Sequence, residues 1–293
     1  MSRTSDLVRA QFKSGDDLRD RGLATPEDVC RYDNIHYGPD PVWQVLDVYR
    51  PRAAAGQVLP VIVSVHGGAW VYGDKERYQY YCMSLAQRGF AVVNFTYRLA
   101  PEFQFPASLE DTNLVFTWVL DHAGEYGMDR DGIFAVGDSA GGHILGLYTA
   151  LCTDSDYAQK YPFSLPEGFV PRGIALNCGV YHCERKENDL TTELMADLLP
   201  GGGTDEELSL IDVLTHVNKK FPPIFLMTAV GDFLKDEALL MAQELLRHDC
   251  PFEFHYYGDE DRRLVHVFHC DVKSSDANIC NSDECNFFRR LIQ

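Results

Sequence analysis

The stretch Ile133-Phe134-Ala135-Val136-Gly137-Asp138-Ser139-Ala140-Gly141-Gly142 decides how this chain is read. Its first half is a short apolar run that suits a buried strand, and the residues after Ser139 open a helical pattern. Residues 137–141 fit G-x-S-x-G, a sharp strand-to-helix turn. A serine at such a turn crowds its neighbours, so the positions two before and two after it must lack side chains. The helix that follows aims its N-terminal amides and the positive end of its dipole at the same spot. The bland alternative is a tight turn carrying an idle serine, and the surrounding sequence decides between the two.

On either side of this turn, short apolar runs alternate with longer amphipathic ones. Strands are expected at Trp43–Tyr49, Pro60–His66, Phe90–Tyr97, Ile133–Gly137, Gly173–Cys178, Ile224–Val230 and Phe252–Tyr257. VIVSVH, AVVNFTY and IFAVGD are apolar and β-branched on consecutive positions, as strands buried on both faces of a parallel sheet are. Helices are expected at Lys75–Arg88, Ser108–His122, Ala140–Leu151, Lys235–His248 and Glu284–Ile292. Gly89 marks a helix stop. This alternation predicts an α/β class, with a mostly parallel central sheet flanked by helices. No repeat or flexible linker divides residues 1–293, so one domain is expected. Residues 1–40, polar and helical in tendency, and 180–221, with Gly201-Gly202-Gly203, fall outside the alternation and are expected to form a small cap.

A nucleophilic serine needs donors for the charge that develops on the attacked carbonyl oxygen. The strand VIVSV runs straight into His66-Gly67-Gly68-Ala69-Trp70, where glycine lets that oxygen come close to the backbone. The expected oxyanion donors are the amides of Gly68, Ala69 and Ala140. Downstream, Asp232 follows the apolar run Ile224–Val230, at a strand's C-terminal end. Its rival Asp236 reads as a first-turn helix charge. For the base, the order Ser, Asp, His along the chain favours His266, with His269 second. His143 lies too close in sequence to swing round to Ser139 and reads as a packed histidine.

Composition limits the partners. The net charge is −18, from 26 Lys+Arg against 44 Asp+Glu, which disfavours nucleic acid and anionic membrane. No run approaches the ~18 apolar residues of a membrane span. Nine cysteines follow no zinc or disulfide spacing, so no metal is expected and the thiols read as free, in a cytoplasmic protein. No cofactor motif appears, and none is expected. Whether the chain forms a homodimer stays open.

With these residues in hand, the chain resembles the hormone-sensitive-lipase-like branch of the α/β-hydrolase fold. HGGAW at 66–70, YRLAPEFQFPA at 97–107, GDSAGG at 137–142 and GDFLKDE at 231–237 carry the resemblance. His266-Val267-Phe268 is similar to that family's His-Gly-Phe, with Val267 in place of glycine. The resemblance implies a short-chain carboxylesterase with Ser139 as nucleophile, Asp232 as acid and His266 as base. Trp70, Tyr72 and Tyr181 are the expected substrate contacts, and a small-molecule ester is the expected partner. HGGAW is also similar to the motif of arylformamidases, so an amidase using the same triad is the first alternative. A non-catalytic binder on this fold is the second; it resembles plant gibberellin receptors, which lack the triad histidine.

Overall fold

The computed structural model describes residues 2–292. Eight strands form one sheet: β1 (Val29–His36), β2 (Val45–Pro51), β3 (Leu59–Val65), β4 (Ala91–Phe95), β5 (Met128–Asp138), β6 (Gly173–Asn177), β7 (Ile224–Ala229) and β8 (Phe252–Tyr257). Their order is β1-β2-β4-β3-β5-β6-β7-β8. The strands β4, β3, β5, β6, β7 and β8 pair in parallel, and β1–β2 and β2–β4 are antiparallel. The helices among the described residues are α1 (Arg3–Arg19), α2 (Lys75–Gln87), α3 (Ala107–His122), α4 (Ala140–Thr153), α5 (Ser155–Ala158), α6 (Leu190–Leu198), α7 (Asp205–Ile211), α8 (Lys235–Arg247) and α9 (Ser275–Ile292).

The strand period of two divides the core between the faces of the sheet. Val61, Val63 and Val65 of β3 join one apolar cluster with Ile144, Leu145 and Met241 of α4 and α8. Ile62 of the same strand turns to the other face, beside Phe134, Val136, Phe225 and Phe288 of α9. Every residue of β4, β6 and β7 is buried. This is why consecutive apolar residues, rather than alternating ones, mark the central strands. Each fully buried Val or Phe contributes about 1.5–3 kcal/mol relative to exposure. Gly89 ends α2 at φ +94°, a conformation that favours glycine.

The N-terminal forty residues depart from expectation. Among the described ones only α1 is helical, and Val29–His36 forms the antiparallel edge strand β1. Its sequence VCRYDNIH lacks alternation because half of it is exposed and a single residue is buried, and pairing with β2 supplies the order that its own pattern does not. Within 180–221, α6 and α7 lie outside the sheet, as expected. Helix α1 docks on α6: the Ser2 and Ser5 hydroxyls donate to the Asp197 carboxylate, and Thr4 donates to Glu193 at 2.6 Å.

Candidate active site

Ser139 sits between the end of β5 and the start of α4 with φ 51° and ψ −120°. Such a backbone costs roughly 1–3 kcal/mol and persists only where its surroundings over-determine it. They do so here. The Ser139 amide donates to Asn177 O at 3.0 Å, and its carbonyl accepts from His143 N at 3.1 Å. A Cβ on Gly137 would lie 2.5 Å from Gly141 O, and one on Gly141 would lie 2.1 Å from Val65 O. Both glycines are therefore required by close backbone approach. Ala140, the first residue of α4, carries one of the amides that a helix start leaves unbonded within the helix.

The loop after β3 is shaped with equal force. Gly68 has φ +125°, and a Cβ there would meet Tyr72 O at 2.0 Å. Ala69 and Trp70 follow at φ 54° and 62°. The Gly68 carbonyl accepts from Val71 N at 3.1 Å and Tyr72 N at 2.9 Å, while among the described residues the Gly68 and Ala69 amides bond to no protein acceptor. The buried His66 ring stacks on Tyr97 at 4.0 Å between centroids, and its Nδ1 lies 2.8 Å from Gly67 O. Burial pushes its pKa down to about 4, so it is neutral.

Asp232 follows β7 and His266 follows β8. The two loops are tied by Gly231 N donating to Leu264 O at 2.7 Å and by a bridge between Gly231 and Val265. His266 Nδ1 lies 2.7 Å from Asp232 Oδ1. The buried carboxylate also accepts from Thr228 Oγ1 at 2.8 Å and Leu234 N at 2.9 Å. Burial alone would raise its pKa; the bond to His266, that ring's charge and the other donors reverse this and hold it below the usual carboxylate range. Asp232 is therefore ionised at neutral pH. Ser139 and His266 line one cavity of about 530 Å³.

Asp236 is exposed in the first turn of α8. His269 is fully buried against Tyr81, with its pKa pushed down to about 3 by burial, and does not line the cavity. His143 is buried too, accepting from Trp70 Nε1 at 3.1 Å through Nδ1 while its Nε2 faces Ile211 O at 2.8 Å. Of the expected substrate contacts, Tyr72 lines the cavity and Trp70 and Tyr181 do not. Trp70 is held inward by its bond to His143, and Tyr181 is buried in the core against Gly179. In both cases an aromatic ring near the site in sequence found more apolar burial beneath it.

The family model described as BD-FAE matches residues 46–234. This chain belongs to the BD-FAE family. The matched region runs from the start of β2 through Asp232 and includes both shaped loops. The chain is also 30% identical to Carboxylesterase NlhH of Mycobacterium tuberculosis over 239 residues, which are 77% of this chain and 73% of that protein. It is 35% identical to Esterase LipC of the same organism over 46% of this chain, a stretch that spans 32% of LipC. Among solved structures, Esterase B from Lactobacillus rhamnosis superposes with a TM-score of 0.87 at 24% identity, covering 98% of this chain and 93% of that one. That likeness places the fold among the α/β-hydrolases, the class expected from the sequence.

Two features of this BD-FAE site escaped the sequence reading. Tyr78 of α2 accepts from Gly67 N at 2.9 Å and donates to Asp138 Oδ2 at 2.7 Å. One hydroxyl thus joins the Gly68 loop to the Ser139 turn. Burial raises Asp138 to about 6, opposed by the Tyr78 bond. The partners lie 60 residues apart, so no local signal exposes them. Below Ser139, the fully buried Glu284 of α9 accepts from Asn177 Nδ2 at 2.6 Å and from Tyr81 OH at 2.9 Å, holding the strand whose carbonyl bonds the Ser139 amide.

Burial raises the Glu284 pKa from 4.5 to about 7. The stability it contributes is therefore fully present below pH about 4.5 and is lost as pH rises through about 7. In urea unfolding at pH 5 and pH 8, the wild type is expected to lose stability relative to Glu284→Gln on going to pH 8. An unchanged difference between the two proteins would contradict this.

Proposed function

We propose that this protein is a carboxylesterase that cleaves short-chain carboxylic esters through an acyl-enzyme on Ser139. The observation that carries the reading is the 2.7 Å bond from His266 to the buried, ionised Asp232, with His266 lining the same cavity as Ser139. In this mechanism Asp232 fixes the His266 tautomer with Nδ1 protonated, leaving Nε2 free to take the Ser139 proton as Oγ attacks the ester carbonyl. The amides of Gly68, Ala69 and Ala140 stabilise the tetrahedral oxyanion. His266 returns the proton to the leaving alkoxide, and water then repeats the cycle on the acyl-enzyme. Relatives named esterase and carboxylesterase support this reading over an amidase.

The substrate is a small ester. No helix among the described residues is long and apolar enough to cross a membrane. Nine free thiols favour a reducing compartment, and we assign the protein to the cytoplasm on that basis. With p-nitrophenyl acetate, butyrate, octanoate and palmitate, kcat/KM is expected to be highest on the two shorter esters. A maximum at palmitate would overturn the short-chain reading, and no turnover of any ester would overturn the function itself.

A further inference from the structure

Phe12, Gly15, Asp16 and Arg19 of α1 lie at i, i+3, i+4 and i+7, on one face of the helix, and line the cavity that contains Ser139 and His266. Glycine at position 15 is unexpected. It lies inside a helix, where glycine is less favourable than alanine. Its φ is not positive, so no turn requires it. A Cβ there would meet no atom within 4 Å, so no packing requires it either. Gly15 is exposed, and by carrying no side chain it leaves this part of the cavity lining open.

The helix cannot move aside to restore that space. On one side of Gly15, Arg9 Nε donates to Val71 O at 2.7 Å and its NH1 to Glu102 at 2.7 Å. On the other, Tyr72 donates to Asp16 at 2.9 Å, Arg77 pairs with Asp17 at 2.6 Å, and Arg19 NH2 donates to Arg77 O at 2.6 Å. Position 15 is thus held at a fixed place in the wall. The cavity wall is mixed: Gln11, Asp16 and Arg19 flank Gly15 on α1, while Phe12, edge-on to Tyr72 at 5.9 Å, Val265 and Val267 supply its apolar part.

We propose that Gly15 is a specificity-determining residue, leaving room for the apolar arm of the ester that extends furthest from the scissile carbonyl. This rests on the carboxylesterase reading above. Filling the gap with a branched side chain removes space of methylene size and more, and a single methylene in an apolar pocket discriminates by about ten-fold or more. Gly15→Leu and Gly15→Ala would be compared with wild type on two series: p-nitrophenyl esters from acetate to octanoate, and alkyl acetates from methyl to hexyl. For Gly15→Leu, the kcat/KM ratio of the longest well-used ester to the shortest is expected to fall about ten-fold or more in one series. Gly15→Ala is expected to fall less and to unfold at a higher temperature than wild type, as helix propensity dictates. An unchanged ratio in both series, or an equal loss on every ester, would overturn the role of Gly15 while leaving the esterase reading intact. A wild type that turns over neither series would instead overturn the esterase reading, and this proposal with it.

Discussion

Ser139→Ala is expected to lower kcat/KM on p-nitrophenyl butyrate by about 10⁴-fold or more, with the protein still folded. The substitution removes one oxygen and nothing else. The strained backbone at φ 51° is imposed by Gly137, Gly141 and the bonds to Asn177 and His143, all of which alanine keeps. Circular dichroism and the unfolding midpoint should therefore match wild type closely. The residual rate would come from cavity binding and the oxyanion amides acting on water, which in serine hydrolases still exceed the uncatalysed reaction. A variant that kept a tenth of wild-type activity would show that Ser139 is not the nucleophile.

Asp232→Asn is expected to cost a comparable ~10⁴-fold in kcat at neutral pH. The carboxamide preserves the shape of the side chain, and its oxygen, in the place of Oδ2, can still accept from Thr228. Toward His266, however, it can present an N–H. The imidazole would then accept at Nδ1 and carry its proton on Nε2, where it cannot take one from Ser139. In the proposed mechanism the buried carboxylate also balances the imidazolium that forms during attack, a role that a neutral amide lacks. The loss should therefore appear in kcat rather than KM. A loss confined to KM would mean that Asp232 serves only to shape the cavity.

The parts of the fold legible in the sequence are those governed by short-range rules. IFAVGDSAGG could be read because a sharp turn after a buried strand forbids side chains at 137 and 141, and the structure shows which backbone atoms forbid them. The central strands were legible because burial on both faces leaves a continuous apolar run. The edge strand β1 was not, since half-exposed residues held by a partner's hydrogen bonds need no pattern of their own. Trp70 and Tyr181 show another limit: a motif fixes the backbone path, but the direction of a side chain depends on which cavity the whole core leaves free. The contribution of α1 was hidden for the same reason. Residues 1–40 read as part of a cap, but only the docking of α1 on α6, Val71 and Arg77 shows which of its residues, Phe12, Gly15 and Asp16, line the cavity with Ser139.

Covalent labelling distinguishes a Ser139 nucleophile activated by the His266–Asp232 pair from an idle serine. In a reaction of this protein with diethyl p-nitrophenyl phosphate, Ser139 Oγ would displace p-nitrophenolate at phosphorus while His266 takes the hydroxyl proton. Intact mass and peptide mapping should then find one diethylphosphoryl group per chain, on the peptide bearing Ser139, and none on Ser139→Ala. A label on another residue, or no label on a protein that still turns over esters, would contradict the account.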